Sequence, residues 1–256
     1  IYKNKVKICS EVTNCSFSKT MQEEKEIINV LFETRNFAKN TEYVINNKII
    51  ANANMEKNFT QIYSKQYVQD GLVLHYDAIN NTGEGHSDTT TIWKDLSGNN
   101  NDGTMYNVLW GENGAVFNGD NSWVNCGAIE SDYITICATF DVNSATNINN
   151  QNIIGNWNSG GYGFCILRDG GVEGSFHVNG TYDIAQSDFA VSNGKVYNVV
   201  ASYDGNNIIL YVNGLMVDNN QVTGTIKRTS PTTVTALGTD PNENEASNNF
   251  LNGKIY

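Results

Sequence analysis

The feature that most constrains this chain is an alternation of apolar and polar residues over the stretch YITICATFDV. Its apolar positions fall on every second residue, at Ile134, Ile136, Ala138, Phe140 and Val142. Successive side chains of a β-strand point to opposite faces, so a period of two places all of these residues on one face. The stretch is therefore predicted to be a β-strand with one buried face.

The stretch KVYNVVASYDGNNIILYVNGLMVD, residues 195–218, predicts two consecutive β-hairpins. Its first turn is Asp204–Asn207 and its second is Asn213-Gly214, a dipeptide that suits the positive φ angles of a two-residue hairpin loop. Short strands separated by turn residues are typical of an antiparallel β-sandwich. Further strands are predicted at 71–77, 115–118, 122–126, 152–157, 162–168, 172–179, 234–238 and 250–256.

Residues 1–68 have a different pattern. They contain no Gly and no Pro, and their apolar residues recur at helical spacing of three and four between Ile27 and Ile45. Thr20 and Glu23 have the spacing of a helix capping box. We therefore predict a helical segment over 1–68, with a first helix near 19–39, and a β-domain over 69–256.

Charge and cysteine usage limit the function classes. The net charge is −11, which argues against nucleic acid and anionic membranes as ligands. The apolar runs are too short to span a bilayer. Cys9 and Cys15 enclose a short polar loop and could pair in an oxidising compartment. The sequence predicts that Cys126, Cys137 and Cys165 are small buried side chains.

Several ordered motifs resemble the laminin-G-like, concanavalin A-like jelly-roll domains of bacterial surface proteins. The motifs are GLVLHYDA, WKDLSGNNNDGT, GAVFNGDNSWVNCG, YDGNNIILYVNG and FLNGKIY, and they cover about residues 70–256. The resemblance implies a sandwich of two antiparallel sheets that binds glycans or proteins, often with one Ca²⁺. The same architecture also occurs in glycoside hydrolases, so the fold alone does not give the function.

The loop WKDLSGNNNDG, residues 93–103, has two interpretations. Asp95 could form a tight turn with Ser97 and Gly98 by bonding nearby amides. Alternatively, Asp95, Asn99 and Asp102 could supply oxygen ligands to Ca²⁺, which takes six to eight oxygens. The loop has suitable atoms but lacks EF-hand spacing, and the sequence leaves both interpretations open.

An enzymatic function is not expected. Retaining glycosidases of this architecture use an E-x-D-x-x-E strand motif with two catalytic carboxylates. The nearest match begins at Glu130-Ser131-Asp132, and Thr135 stands where the second Glu is required. A hydroxyl cannot act as a general acid near neutral pH, so a glycoside hydrolase is the less favoured alternative.

Aromatic rings beside amides are the best candidates for ligand contacts. Sugar recognition needs exposed rings for stacking and polar groups for hydroxyls, and two turn regions offer both, at Trp157, Asn158, Tyr162, His177, Asn179 and Tyr182. The alternative is that these rings pack in the core or at its rim, as most Trp and Tyr residues of sandwiches do. Trp93, Trp110 and Trp123 are predicted to be core residues.

Taken together, these patterns predict a non-enzymatic adhesin module on the outside of a bacterial cell, with a glycan or a cell-surface protein as its ligand. A helix followed by a β-domain is also similar to the layout of type IV pilins. Pilus subunits are therefore a second class of expected partner. A purely structural subunit of a surface appendage is the alternative.

Overall fold

A computed structural model describes residues 69–157, 160–228, 233–242 and 245–256, together with short backbone stretches before residue 69. The chain divides into two compact units, residues 1–71 and 72–256, and each is described by itself. Among the described residues there is no helix long and apolar enough to cross a membrane.

Before residue 69, the described part of the first unit consists of two antiparallel strand pairs. They are formed by β1 (Tyr2–Lys3), β2 (Val6–Lys7), β3 (Tyr43–Ile45) and β4 (Lys48–Ala51). The helical interpretation is therefore wrong for residues 43–51. Ile45 pairs with Lys48, and β-branched residues on both sides of an Asn-Asn pair favour a hairpin. The helix predicted near 19–39 lies outside the described residues.

The second unit is built on a seven-stranded antiparallel sheet and an eight-stranded antiparallel sheet. The spatial order of the first sheet is β17-β16-β15-β10-β21-β8-β7. In chain order its strands are β7 (Leu109–Gly111), β8 (Gly114–Asn118), β10 (Ile134–Val142), β15 (Tyr197–Tyr203), β16 (Asn207–Val212), β17 (Leu215–Gln221) and β21 (Asn252–Ile255).

The spatial order of the second sheet is β14-β13-β12-β11-β18-β9-β6-β5. Its strands are β5 (Ile92–Trp93), β6 (Gly103–Tyr106), β9 (Trp123–Asn125), β11 (Gln151–Gly155), β12 (Tyr162–Ile166), β13 (Gly171–Val178), β14 (Thr181–Ala190) and β18 (Ala236–Leu237). A separate antiparallel pair is formed by β19 (Asp240–Asn242) and β20 (Glu245–Asn248).

The core lies between the two large sheets. Phe140 on β10 approaches Phe164 on β12 with ring centroids 6.2 Å apart, and Phe176 on β13 approaches Tyr203 on β15 at 5.8 Å. Each pair joins one sheet to the other, and all four rings are buried. The predicted two-sheet antiparallel sandwich is confirmed, and Phe140 occupies the buried face predicted for its strand.

The double hairpin is also confirmed. Strands β15, β16 and β17 pair in succession, and Asn213 and Gly214 have φ angles of 51° and 79°. In the first turn, a carboxylate oxygen of Asp204 accepts the amides of Asn206 and Asn207, each at 2.8 Å. Local side-chain chemistry therefore fixes both turns.

Strand β14, which the sequence did not predict, is an edge strand held by side chains of the other sheet's edge strand β17. Asn220 donates its side-chain amide to the carbonyl of Ile184 at 3.0 Å, and Asp218 accepts the amide of Gln186 at 2.8 Å. Edge strands expose unpaired backbone groups that invite association with other chains. The two hydrogen bonds satisfy two backbone groups of β14, and they connect this edge strand to β17, the edge strand of the other sheet.

The segment 71–77 was predicted to be a strand, and this prediction is wrong. No strand of the described residues pairs with it; the loop 93–103 does so instead, through its side chains and through the Leu96 amide, which donates to the carbonyl of His75 at 2.8 Å. Asn99 and Asn101 donate to the carbonyls of Leu72 and Val73, each at 2.8 Å. The alternation of apolar residues in this segment still corresponds to burial, because Leu74 packs against the core.

Asp95 is the centre of this loop. It is 3% exposed, and its carboxylate accepts the amides of His75, Ser97 and Asn101 and the hydroxyl of Ser97, at 2.8–3.0 Å. Burial raises the pKa of Asp95, but these donors outweigh burial and lower it overall. The lowered pKa means that Asp95 stabilises the fold above its unfolded-state pKa of about 4, and that this is lost as the pH falls through the folded-state value.

We expect Asp95→Ala to lower the free energy of unfolding by about 3 kcal/mol at neutral pH, because it leaves several amides without their acceptor. Denaturant unfolding followed by tryptophan fluorescence measures the loss. Asp120→Ala, which changes an exposed carboxylate, is the control and should stay within about 0.5 kcal/mol of the wild type. Equal stability of the two variants would show that Asp95 does not hold the segment 72–77.

His86 bridges two acceptors at the surface of the second unit. Its Nδ1 lies 2.8 Å from the carbonyl oxygen of Ala78, and its Nε2 lies 2.8 Å from a carboxylate oxygen of Asp88. Only the imidazolium form can donate from both nitrogens. The hydrogen bond to Asp88, followed by the bond to Ala78, raises the pKa of His86. The ring also contacts Trp110 edge-on, at 5.7 Å.

A raised pKa means that His86 stabilises the fold below its unfolded-state pKa of about 6.5 and that this contribution disappears as the pH rises through the folded-state value. We expect His86→Gln to lower Tm at about pH 5.5 and to have a smaller effect at about pH 8.5. Asp88 is 83% exposed, so the effect should stay under about 1 kcal/mol. Asp88→Asn should cause the same pH-dependent decrease in Tm. A decrease in Tm that is the same at both pH values would contradict stabilisation by the charged form of His86.

Candidate functional site

Three of the predicted ligand residues meet on the outer face of the eight-stranded sheet, at one end of the sandwich. Trp157 follows β11, and its indole lies over the paired glycines Gly155 and Gly163. A methyl group at Gly163 would come within 2.7 Å of the indole. His177 and Tyr182 sit opposite each other on β13 and β14, with ring centroids 4.8 Å apart. Trp157, His177 and Tyr182 are called the aromatic surface below.

Hydrogen bonds fix these side chains. The Trp157 indole N–H donates to the carbonyl of Ser175 at 3.3 Å. The Tyr182 hydroxyl donates to the carbonyl of Trp157 and accepts the amide of Gly160 at 3.1 Å. Tyr182 remains 48% exposed. The aromatic surface therefore offers a held ring to solvent, which reduces the entropy lost when a ligand stacks on it.

Two other predicted residues do not belong to this surface. Tyr162 is 1% exposed, and its hydroxyl lies 3.2 Å from both the Ile129 carbonyl and the Thr235 hydroxyl. Burial raises the pKa of Tyr162 to about 12. The prediction of Tyr162 as a ligand contact is therefore wrong, because its place on β12 turns the ring into the core. Asn158 lies outside the described residues.

Asn179 is exposed beside the aromatic surface, but its conformation serves the turn. It has a φ of 54°, as the first residue of the Asn179-Gly180 hairpin loop requires. Its side-chain amide donates to the carbonyl of Thr223 at 2.7 Å. Asn179 thus connects the β13–β14 turn to the segment after β17, with its amide oxygen left for other partners.

A cleft of about 390 Å³ opens at the same end of the sandwich. The Arg228 cleft, as it is called below, is lined by Glu130, Ser131, Asp132, Ile226 and Arg228. Arg228 Nη1 lies 2.8 Å from Glu130 Oε1, and its other terminal nitrogen donates to the carbonyl of Thr233. The Arg228 side chain is 9% exposed and that of Glu130 is 56% exposed. The guanidinium of the ion pair is therefore buried, and the carboxylate is open to solvent.

The Arg228 cleft and the aromatic surface share one backbone segment, residues 226–228. The amide of Ile226 donates to the carbonyl of Asp132 at 3.1 Å, on the cleft side. On the other side, the amide of Lys227 donates to the carbonyl of His177 at 2.8 Å, and His177 Nδ1 lies 3.0 Å from the Lys227 carbonyl oxygen. The cleft and the rings are therefore adjacent and fixed to the same segment.

The predicted calcium ligands do not fit a metal site as they are arranged. The carboxylate of Asp95 already accepts four hydrogen bonds. Asp102 accepts the amide of Asp95 at 3.0 Å and pairs with Lys94 at 2.9 Å. The side-chain amide of Asn99 points its nitrogen at the Leu72 carbonyl. Within the described ranges no cluster of acidic, His and Cys residues could hold a metal. Binding of Ca²⁺ by the chain stays a prediction.

Sequence reasoning missed the Arg228 cleft. In the sequence, Glu130 and Asp132 belong only to an incomplete catalytic motif, and no motif includes Arg228 or Ile226. Glu130 and Arg228 are separated by 98 positions, so no local spacing links them. The available signal was indirect: a basic pair, Lys227-Arg228, occurs in a strongly acidic chain.

Comparisons with known proteins agree with this architecture. A family model described as the concanavalin A-like lectin/glucanases superfamily matches residues 117–256. No curated protein matches the chain by sequence.

The solved structures that are similar at the level of fold include two with a TM-score of 0.50. The binding domain of botulinum neurotoxin serotype D is 16% identical with a TM-score of 0.50, over 74% of this chain and 48% of that one. The chain thus spans about half the length of that domain. Domain 4 of AbnA, an extracellular arabinanase from Geobacillus stearothermophilus solved with arabinotriose, is 13% identical with a TM-score of 0.50, over 72% of this chain and 91% of that one.

We expect Tyr182→Phe to loosen the backbone beside the aromatic surface without unfolding the protein. The change keeps the ring and removes the hydroxyl that bonds Trp157 and Gly160, at a cost of about 1 kcal/mol. Amide hydrogen exchange should be faster at Gly160 and unchanged in the core strands. Tyr133→Phe is the control, because the Tyr133 hydroxyl bonds no described residue. Unchanged exchange at Gly160 would contradict the anchoring role.

Proposed function

The chain belongs to the concanavalin A-like lectin/glucanases superfamily, and from this premise we propose that it is a binding module for uncharged glycans. The observation that carries the proposal is that the aromatic surface and the Arg228 cleft lie side by side, because both are hydrogen-bonded to residues 226–228. A held aromatic ring beside a concave site with a few polar groups is the usual form of a small-ligand site.

The chemistry of the two neighbouring parts suits a sugar. The exposed ring of Tyr182 can stack on the apolar face of a sugar ring. The carboxylates of Glu130 and Asp132, both on exposed residues, can accept hydroxyl hydrogens from a sugar. Two exposed acids at the mouth of the cleft, on a chain of net charge −11, disfavour an acidic glycan.

We further propose that the module binds glycans without cleaving them. Hydrolysis by two carboxylates needs one residue to protonate the leaving oxygen and another to act as nucleophile or base. Glu130 Oε1 is engaged by Arg228 at 2.8 Å, which leaves it poorly placed to act as the acid. Turnover of a glycan that is abolished by Glu130→Gln would overturn this part of the proposal.

The proposed setting is the surface of a bacterial cell, where a glycan-binding module would act as an adhesin. This rests on the resemblance to modules of surface proteins and on the proposed ligand class. The second candidate is recognition of a surface protein through the same rings. Membership of a pilus stays a prediction from the sequence pattern of residues 1–68.

The test is a printed array of uncharged glycans, followed by titration calorimetry with the best binder and with arabinotriose. We expect Trp157→Ala and Tyr182→Ala each to weaken binding by roughly fivefold, because each removes a stacking surface worth about 1 kcal/mol. Phe189→Ala is the matched control, since Phe189 is an aromatic residue on β14 that is 39% exposed and lies outside the aromatic surface.

Absence of binding to any glycan, combined with binding of a cell-surface protein that Tyr182→Ala abolishes, would favour the second candidate. Absence of binding to both would favour a structural role. Equal losses in Phe189→Ala and Tyr182→Ala would show that the aromatic surface is not the site.

A further inference from the structure

A second aromatic feature lies on the eight-stranded sheet, away from the aromatic surface. Tyr106 on β6 and Trp123 on β9 are directly opposite each other in the strand register. Their ring centroids are 4.6 Å apart and the ring planes are within 11° of parallel. Tyr106 and Trp123 are called the Tyr106 platform below. A parallel stack at this distance is worth about 1 kcal/mol beyond the area that it buries.

The platform has a fixed base and an open top. Trp123 is 7% exposed and packs with Val234, Ala236 and Ala246 in a small cluster separate from the main core. Tyr106 is 43% exposed although one side of its ring rests on Trp123. The exposed area must therefore belong to the opposite side and edge of the Tyr106 ring. Such a flat ring, held by a buried indole, loses little entropy when a ligand stacks on it.

Rigid amide-bearing loops border the platform. Asn107 follows Tyr106 with a φ of 53°, and its side-chain amide donates to the carbonyl of Asn121 at 3.2 Å. The Asn118 side-chain oxygen accepts three successive amides, those of Asp120, Asn121 and Ser122. These exposed asparagines place hydrogen-bonding groups beside the open ring without requiring a loop to become ordered.

The charges near the platform favour an uncharged ligand. Residues 103–125 include Glu112 and Asp120 but no Lys or Arg. A phosphate or a carboxylate on a ligand would therefore meet no basic partner from these residues. An uncharged sugar ring presents an apolar face for stacking and hydroxyls for the asparagine amides. We propose that the Tyr106 platform is a second subsite for an uncharged saccharide ring.

The two aromatic sites lie on the same face of the sheet. Gly155, Ala236, Asn125 and Thr104 form one cross-strand row. Trp157 covers the Gly155 end of this row, and Tyr106 lies two residues beyond Thr104 on the same face. Three strand spacings of about 4.8 Å, at right angles to two rises of about 3.3 Å, place the rings about 16 Å apart.

An oligosaccharide, but not a single sugar, is long enough to reach both sites. Joining two weak contacts on one ligand raises the overall affinity without new contacts. The inference shares its ligand class with the proposed function and does not need the Arg228 cleft, so the two can fail separately. We therefore expect affinity for uncharged glycans to rise with chain length.

The experiment uses the full chain and arabinan and β-glucan oligosaccharides of graded length. Binding is measured by titration calorimetry, and the sites are located by amide shift changes in NMR. In the wild-type protein we expect amide shift changes at Thr104, Tyr106 and Asn107. We expect the Tyr106→Leu variant to bind the longer glycans roughly threefold to tenfold more weakly than the wild type does. Tyr106→Phe keeps the flat ring and should bind like the wild type. Leu109→Ala, which changes a side chain that is 70% exposed, controls for loss of apolar surface.

Shifts confined to Gly160 and Tyr182 would overturn the second subsite and leave the proposed function intact. Shifts confined to residues 104–107 would support the platform and remove the proposed site. No shift at either place with any of these glycans would overturn both. A concentration-dependent sedimentation coefficient that Tyr106→Leu abolishes, with no saccharide shifts, would show that the platform contacts a second copy of the chain instead. Melting curves of each variant exclude unfolding as the cause.

Discussion

The packing of aromatic side chains between the two sheets is the interaction on which the second unit depends. Phe140 and Phe176 reach across to Phe164 and Tyr203, and burial of each such ring contributes about 2 kcal/mol. Because side chains alternate along a strand, fixing these rings inward fixes their neighbours outward. His177, next to Phe176, must therefore face solvent. The surface that we propose for binding is a consequence of the core.

Side-chain hydrogen bonds satisfy backbone N–H and C=O groups that the strand pairing leaves without a partner. Asp95 and its loop form hydrogen bonds with the segment 72–77, which pairs with no strand in the described part of the chain. Asn220 and Asp218 occupy the open edge of β14. The Tyr203 hydroxyl donates to the carbonyl of Gly224 at 3.0 Å and helps to position the approach to the Arg228 cleft. Buried or edge backbone groups need such partners, since leaving one unpaired costs about 1–3 kcal/mol.

The candidate site combines residues from three distant parts of the sequence. Segments 130–132, 160–182 and 226–228 meet at one end of the sandwich through backbone pairing. Gly160 and Val178 form bridges with Arg228 and Ile226, and the Ile226 amide donates to the carbonyl of Asp132. A fold shared by lectins and glucanases does not by itself decide between binding and hydrolysis. We propose binding rather than hydrolysis because the ion pair with Arg228 engages the Glu130 carboxylate of the incomplete catalytic motif.

The sequence by itself determined the features with local causes. The alternation around Phe140 and the Asn213-Gly214 turn predicted β10 and the hairpins, because strand period and loop geometry depend on adjacent residues. Strand β14 was missed, because it is an edge strand that buries only Ala185 and Ser187. Only the tertiary structure decided that Tyr162 is core and Tyr182 is surface, and that Glu130 meets Arg228. These outcomes depend on register and on contacts between residues far apart in the chain, which no local pattern encodes.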